Sequence, residues 1–249
     1  MKTFLLILLT ACSVNAGQMS SSASNLVGLW HFNEGTGATT RNEIPLAANA
    51  SISNAAWVSS RFGSGISFNG ATNSIVTIAR STYLEPARVF SVGAWYYASV
   101  APTAFDHNCP NRIINKFYST EAPWVSWDIN VHNGAPYYIA ADISYGSTIR
   151  GIYSTITPKV GSWYFVVLTS DSVGAKLYVN GVYIGSANGV GDIPYGATKN
   201  LEIGGNSSET YCELKGVVDE VFFMNGKTLS GGEVNRIYAE GLGGHSNAR

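Results

Sequence analysis

The sequence predicts an all-β sandwich of two antiparallel sheets with one short C-terminal helix. Three observations carry that expectation. Strand-length runs of apolar and aromatic residues recur from Leu26 to Met224, separated by Gly, Asn, Ser and Pro, which is the rhythm of a sandwich or barrel. Charged residues make up only 12% of the chain, against 45% hydrophobic and 12% aromatic, too few for the solvated surface of a helical bundle. Helical periodicity is confined to one segment near the C-terminus.

Taken in order, the candidate strands are Val27–Phe32, Gly65–Phe68, Ile75–Ala79, Phe90–Tyr97, Arg112–Phe117, Trp124–His132 and Ala135–Asp142. Trp163–Ser170, Ala175–Val179, Val182–Ser186, Leu201–Gly204 and Val217–Met224 complete the set. Asn133-Gly134 and Asn180-Gly181 each separate two such runs, and Asn-Gly accepts the positive φ angles of a type I′ hairpin turn. Trp163–Ser170 is apolar on both faces, as a covered mid-sheet strand should be. The helix begins at Ser230 with Glu233 as its capping-box partner, buries Val234, Ile237 and Tyr238, and stops at Gly241. Neither a repeat nor a composition break interrupts 26–242, so one domain is expected there, with a serine-rich linker over 17–25 and a short flexible tail at 243–249.

Composition also narrows the partners. Formal net charge is −1, and no Lys/Arg cluster offers the basic stripe that phosphate neutralisation requires. Nucleic acid is therefore excluded as an expected partner, and a neutral partner fits better. Lys2 followed by the apolar run Phe4–Leu9 and the small residues Val14-Asn15-Ala16 reads as a signal peptide over 1–16, far short of the ~20 residues of a membrane span. Leu9-Thr10-Ala11-Cys12 gives the alternative, a lipid anchor on Cys12. Both place the protein outside the cytoplasm, the first as a secreted protein. Cys109 and Cys212 then remain as a pair in an oxidising compartment, so one disulfide is expected, with two buried free thiols as the alternative.

The order of segments resembles the laminin-G-like, or concanavalin A-like lectin, jelly rolls. Gly28-Leu29-Trp30-His31-Phe32-Asn33-Glu34-Gly35 resembles the family's opening strand, Gly65–Gly70 its second, and Phe90–Trp95 its central aromatic strand. Trp163–Val166, the Leu177–Gly181 hairpin, Leu201–Gly205 and the Gly216–Val221 strand with its closing helix follow in the same order. The resemblance implies a concanavalin A-like jelly-roll sandwich, one sheet of it concave. It also implies carbohydrate or cell-surface glycoconjugate partners, and often a structural calcium (Ca2+). The metal position carried over from the family falls on Asp219 and on Asn42, where the family usually has an Asp. The alternative makes Asp219 a plain hydrogen-bonding residue.

The chemistry-bearing residues are sparse. The Glu-x-Asp-x-Glu strand of sandwich glucanases, which puts acid and nucleophile on one surface, is missing, and Asp219 and Glu220 are adjacent rather than alternate. The expectation is therefore a non-catalytic module. On Trp124–His132, Val125, Trp127, Ile129 and Val131 share one face, leaving Trp124, Asp128 and Asn130 on the other. Trp95 and Tyr97, and Tyr138 and Asp142, oppose the apolar faces of their own strands in the same way. Trp95, Tyr97, Trp124, Asp128, Asn130, Tyr138 and Asp142 are thus expected to line one concave surface, with rings for sugar faces and acceptors for hydroxyls. The functional expectation is a secreted, lectin-like module that binds a neutral glycan. An adhesive module using the same surface against a protein is the alternative, and a glycoside hydrolase is a third class.

Overall fold

A computed structural model describes residues 25–105, 109–120, 122–209 and 212–241. The signal segment, Cys12, most of the linker and the tail lie outside the described residues. The strands in chain order are β1 (Leu26–Trp30), β2 (Thr39–Thr40), β3 (Ala50–Ser53), β4 (Ala56–Ser59), β5 (Ser64–Asn69), β6 (Ile75–Ile78), β7 (Phe90–Ala98) and β8 (Asn111–Phe117). They continue as β9 (Val125–Val131), β10 (Ile139–Tyr145), β11 (Thr148–Tyr153), β12 (Trp163–Ser170), β13 (Gly174–Val179), β14 (Val182–Asn188), β15 (Leu201–Ile203) and β16 (Lys215–Asn225). One helix, α1 (Gly231–Glu240), follows. No helix among the described residues is long and apolar enough to cross a membrane.

These strands form two antiparallel eight-stranded sheets, the jelly-roll sandwich that the sequence predicts. The first runs β14-β13-β12-β7-β16-β5-β4, with β1 also on β16, and the second runs β11-β10-β9-β8-β15-β6-β3-β2. Between them lies the main core, to which Trp30, Phe68, Phe90, Tyr96, Trp127 and Phe223 contribute. Strand β16 changes partner along its length, from β5 at Lys215–Val218 to β1 at Val221–Met224. The change coincides with a bulge: its register on β7 jumps from Asp219↔Trp95 to Phe222↔Gly93, with Glu220 at φ 51. An extra residue of this kind bends a strand and re-aims its side chains. At the bulge, His31 Nδ1 lies 2.8 Å from Glu220 Oε1, and that hydrogen bond is the main cause that raises the His31 pKa.

The outer face of the first sheet is closed by the protein itself. Helix α1 has the expected capping box at Ser230 and Glu233, and its Val234 and Ile237 pack with Leu29, Phe165, Val167, Phe222 and Met224 into a second apolar cluster. The Asn180-Gly181 turn has both residues at positive φ, 52 and 78, as type I′ requires. Asn133-Gly134 differs from expectation. Neither residue has positive φ, and β9 and β10 are joined by a seven-residue loop through Pro136, with Tyr137 at φ 56. The observed pairing starts at Val131↔Ile139, which leaves Pro136 in the loop and out of a strand that has neighbours on both sides.

Candidate functional site

The outer face of the second sheet carries one polar row. Across the ladders, Asp142 pairs with Asp128, Asp128 with Asn115, Asn115 with Glu202, and Glu202 with Thr77. Each sits at an outward pleat between core residues such as Trp127 and Ile129. Polar side chains on an open sheet face need only water, but the middle three are buried: Asp128 is 1%, Asn115 0% and Glu202 3% exposed. The cover is the segment after β15. Asn115 Nδ2 donates to the Gly205 carbonyl at 2.6 Å, and Ser207 donates both its N–H and its hydroxyl to Glu202. The disulfide between Cys109 and Cys212 ties this segment to the start of β8, with Cα atoms 5.4 Å apart.

A cleft of about 300 Å³ opens beside that segment, lined by Arg112, Trp124, Asp128, Asp142, Ile149 and Glu209 among others. Arg112 donates from Nη2 to Glu209 Oε2 at 2.9 Å, while its Nε stands 3.9 Å from Asp128 Oδ2. Asn130 Nδ2 donates to Asp128 Oδ1 at 2.7 Å and to Asp142 Oδ2 at 3.1 Å. Among the described residues, Nε and Nη1 of Arg112 and Oδ1 of Asn130 are buried without a hydrogen-bond partner. An unmet buried polar group costs about 1–3 kcal/mol. Two of these atoms belong to Arg112, which lines the cleft, and the third to Asn130, which bonds the lining acids Asp128 and Asp142.

Burial pushes the Asp142 carboxyl up to about 7, helped by the charge of Asp128, and burial also raises Asp128 against the pull of Arg112. Three carboxyls around one guanidinium make the cleft a poor host for an anion. Trp124 stands over it, 46% exposed. Its backbone is in the left-handed region, φ 64, unusual for a bulky residue, and its carbonyl accepts from the N–H groups of both Tyr118 and Ser119. A second cleft of about 480 Å³, across the same covering segment, is lined by Thr72, Asn73, Ser207 and Ser208. It is the larger of the two but has neither an exposed ring nor an unpartnered buried group among its described lining residues.

Trp124, Asp128, Asn130 and Asp142 therefore meet at one place, and Tyr138 lies on the same sheet face further along. Trp95 and Tyr97 do not join them. Their pleat is as read, away from the main core, but β7 belongs to the first sheet. Trp95 is 2% exposed, packed against Phe62, Phe165 and Tyr238 with the Arg61 guanidinium 4.0 Å from its ring centre. Tyr97 is half-buried against Trp163. Alternation along a strand tells which face a side chain takes, not which sheet holds the strand. Arg112, Ile149 and Glu209 were not among the expected residues. The alternation Ile149, Gly151, Tyr153 after the Gly146 turn is the signal that would have found β11.

Asn42 and Asp219 do not fit a calcium site. Asn42 Oδ1 accepts from the N–H groups of Leu29 and Ile44, and its amide donates to Val27 and Ala47 carbonyls. Asp219 accepts from Ser60 Oγ, Phe62 N and Glu220 N. Oxygens ringed by donors are satisfied by hydrogens, whereas calcium needs six to eight free oxygen ligands. Burial, the main cause, raises the Asp219 carboxyl to about 7. Its role here is to clamp the turn that holds Arg61 and Phe62 over Trp95.

A family model described as the concanavalin A-like lectin/glucanases superfamily matches residues 69–235. The chain belongs to that superfamily. Among solved structures, this lectin/glucanase-type chain superposes on the binding domain of Paraclostridial Mosquitocidal Protein 1 with a TM-score of 0.68 at 15% identity. It also superposes on domain 4 of AbnA, an extracellular GH43 arabinanase from Geobacillus stearothermophilus, in complex with arabinotriose (0.64, 16%). A third is the Trypanosoma rangeli sialidase in complex with sialic acid (0.63, 17%). Each superposition covers 86% of this chain, but 52%, 98% and 33% of the respective partners. At these identities the likeness concerns the fold. No curated protein matches the sequence.

Proposed function

We propose that this superfamily member is a secreted, non-catalytic carbohydrate-binding module that holds a neutral glycan in the cleft beneath Trp124. The observation that carries the reading is the set of groups lining one cleft: the exposed Trp124 indole, the carboxyls of Asp128 and Asp142, and Arg112, whose Nη1 has no hydrogen-bond partner among the described residues. A sugar supplies what that set lacks: hydroxyls that donate and accept, and an apolar ring face. The complex of AbnA domain 4 with arabinotriose supports the same class of ligand. The Cys109–Cys212 bridge supports an oxidising, extracytoplasmic destination; of the two routes there, processing before Gly17 is proposed because the apolar run before Cys12 is short for a lipid anchor.

The non-catalytic part rests on the missing Glu-x-Asp-x-Glu strand and on Asp128, whose buried carboxyl is engaged by Asn130 and faces Arg112. An array of neutral oligosaccharides, followed by titration calorimetry, tests the proposal. Specific hits that weaken about tenfold or more in Trp124→Ala are expected, the magnitude of one ring stack. Silence on the array together with saturable binding to a cell-surface protein would favour the adhesive reading. Release of reducing sugar, lost in Asp142→Asn, would make it a hydrolase.

A further inference from the structure

We propose that the ligand is a linear oligosaccharide rather than a single sugar, and that Tyr153, with Tyr138 and His132, forms a second stacking platform on the far side of Asp142 from Trp124. This rests on the glycan-binding reading above. Strands β9 and β10 are antiparallel with Asp128 opposite Asp142. Trp124 stands four residues before Asp128, and Tyr138 four before Asp142. Counted along the chain, the two residues therefore stand at opposite ends of the carboxyl pair, each about 13 Å of backbone away. No single sugar ring reaches both.

Between Asp142 and Tyr138 the surface is bridged by β11. Gly151 pairs with Asp142, and Tyr153 pairs with Ala140. A Cβ on Gly151 would run into the Tyr153 ring, so the missing side chain is what lets that ring lie back along the sheet toward Asp142. Tyr153 remains 55% exposed. Its ring centre is 5.5 Å from that of Tyr138, which in turn stacks on His132 at 4.7 Å. None of the three rings belongs to either apolar core cluster. They do little for the fold, yet they continue the strip that begins at Trp124 and Ile149 and passes over Arg112, Asp128 and Asp142. Ring, polar centre, ring is the pattern a chain of uncharged sugars presents in reverse.

The test is calorimetry on the mature protein with linear cello-, manno- and arabino-oligosaccharides of one to six units. For the series that binds, affinity is expected to rise at least tenfold from disaccharide to pentasaccharide. Tyr153→Ala should remove that rise and leave disaccharide affinity unchanged, Tyr153→Phe should keep it, and Trp124→Ala should weaken every length. Gly151→Val, which lifts the ring without deleting it, should act like Tyr153→Ala. Equal affinity at all lengths, or a pentasaccharide indifferent to Tyr153→Ala, would overturn the second platform while leaving glycan binding intact. Failure of every oligosaccharide, on the array as here, would overturn both.

Discussion

Asp142 faces Asp128 across the β9–β10 ladder, and Asn130 gives one amide nitrogen to both carboxyls, at 3.1 and 2.7 Å. Burial, and after it the charge of Asp128 alongside, holds the Asp142 carboxyl up to about 7. Asp142→Asn replaces the protonated acid by a neutral isostere. The variant is expected to fold and to keep glycan affinity above pH 7.5 within a factor of about three of its value at pH 5.5. Wild-type affinity should change across the same interval as Asp142 turns from donor to acceptor. Calorimetry at the two pH values decides it.

Stability should follow the same groups. The folded-state pKa values of Asp142 and Asp219, both about 7, lie above an unfolded value of roughly 3.9. Each then contributes stability that is full below about pH 4 and lost as pH rises through 7. His31, raised chiefly by its hydrogen bond to Glu220, adds a loss above its unfolded value, so the signs agree. The urea midpoint is expected to be higher at pH 5 than at pH 8, and the difference should shrink in Asp142→Asn. A midpoint that rises with pH over that interval would contradict the burial described for these acids.

The indoles separate stability from binding. Trp127 is 0% exposed between Phe90 and Phe223, and Trp95 is sealed under α1. Trp127→Ala and Trp95→Ala should each cost about 3–5 kcal/mol in denaturant unfolding. Trp124→Ala should stay within about 0.5 kcal/mol of wild type, since the residue is 46% exposed and Ala keeps the Cβ that the positive φ already has to tolerate. A large stability loss in Trp124→Ala would mean that its ring is not the outward one.

Millimolar calcium chloride is expected to leave the Tm unchanged, because mass action needs a site that binds the folded state. Asp219→Ala should lower stability by about 1–3 kcal/mol through loss of the Ser60–Phe62 clamp, with or without calcium. A calcium-dependent rise in Tm that disappears in Asp219→Ala would reinstate the metal.

Cys109 and Cys212 close a loop with a sequence separation of 103, for which chain entropy gives about 4–5 kcal/mol. The Cys109→Ser/Cys212→Ser double variant should lose roughly that much. It should also bind glycan more weakly, because Glu209 then loses the tether that holds it on Arg112. Unchanged affinity would remove that segment from the site.

What was legible in the chain was whatever one strand can say about itself. Trp163–Ser170, apolar on both sides, does lie mid-sheet between β7 and β13, and Trp127 does face inward. The capping box of α1 and the Asn180-Gly181 turn depend on a few neighbouring residues and are as expected. The strands that escaped notice, β2, β3, β4 and β11, are short or largely exposed, so their alternation is weakly written in hydrophobicity. The site was half legible for the same reason. Asp128, Asn130 and Asp142 stand out as polar residues at outward pleats, whereas Arg112 and Glu209 acquire meaning only once the disulfide brings the covering segment over β8. Trp95 was assigned to the wrong sheet because a strand's partners are chosen across the whole chain.

Both ends of the described domain belong to the first sheet. Leu26 pairs with Met224 and Asn25 bonds the Asn225 carbonyl, while α1 rests on the same layer. The Trp124 cleft lies on the far side of the sandwich. A surface or a carrier coupled to either end would therefore sit behind the molecule with the cleft turned outward, the orientation in which an immobilised receptor keeps its reach.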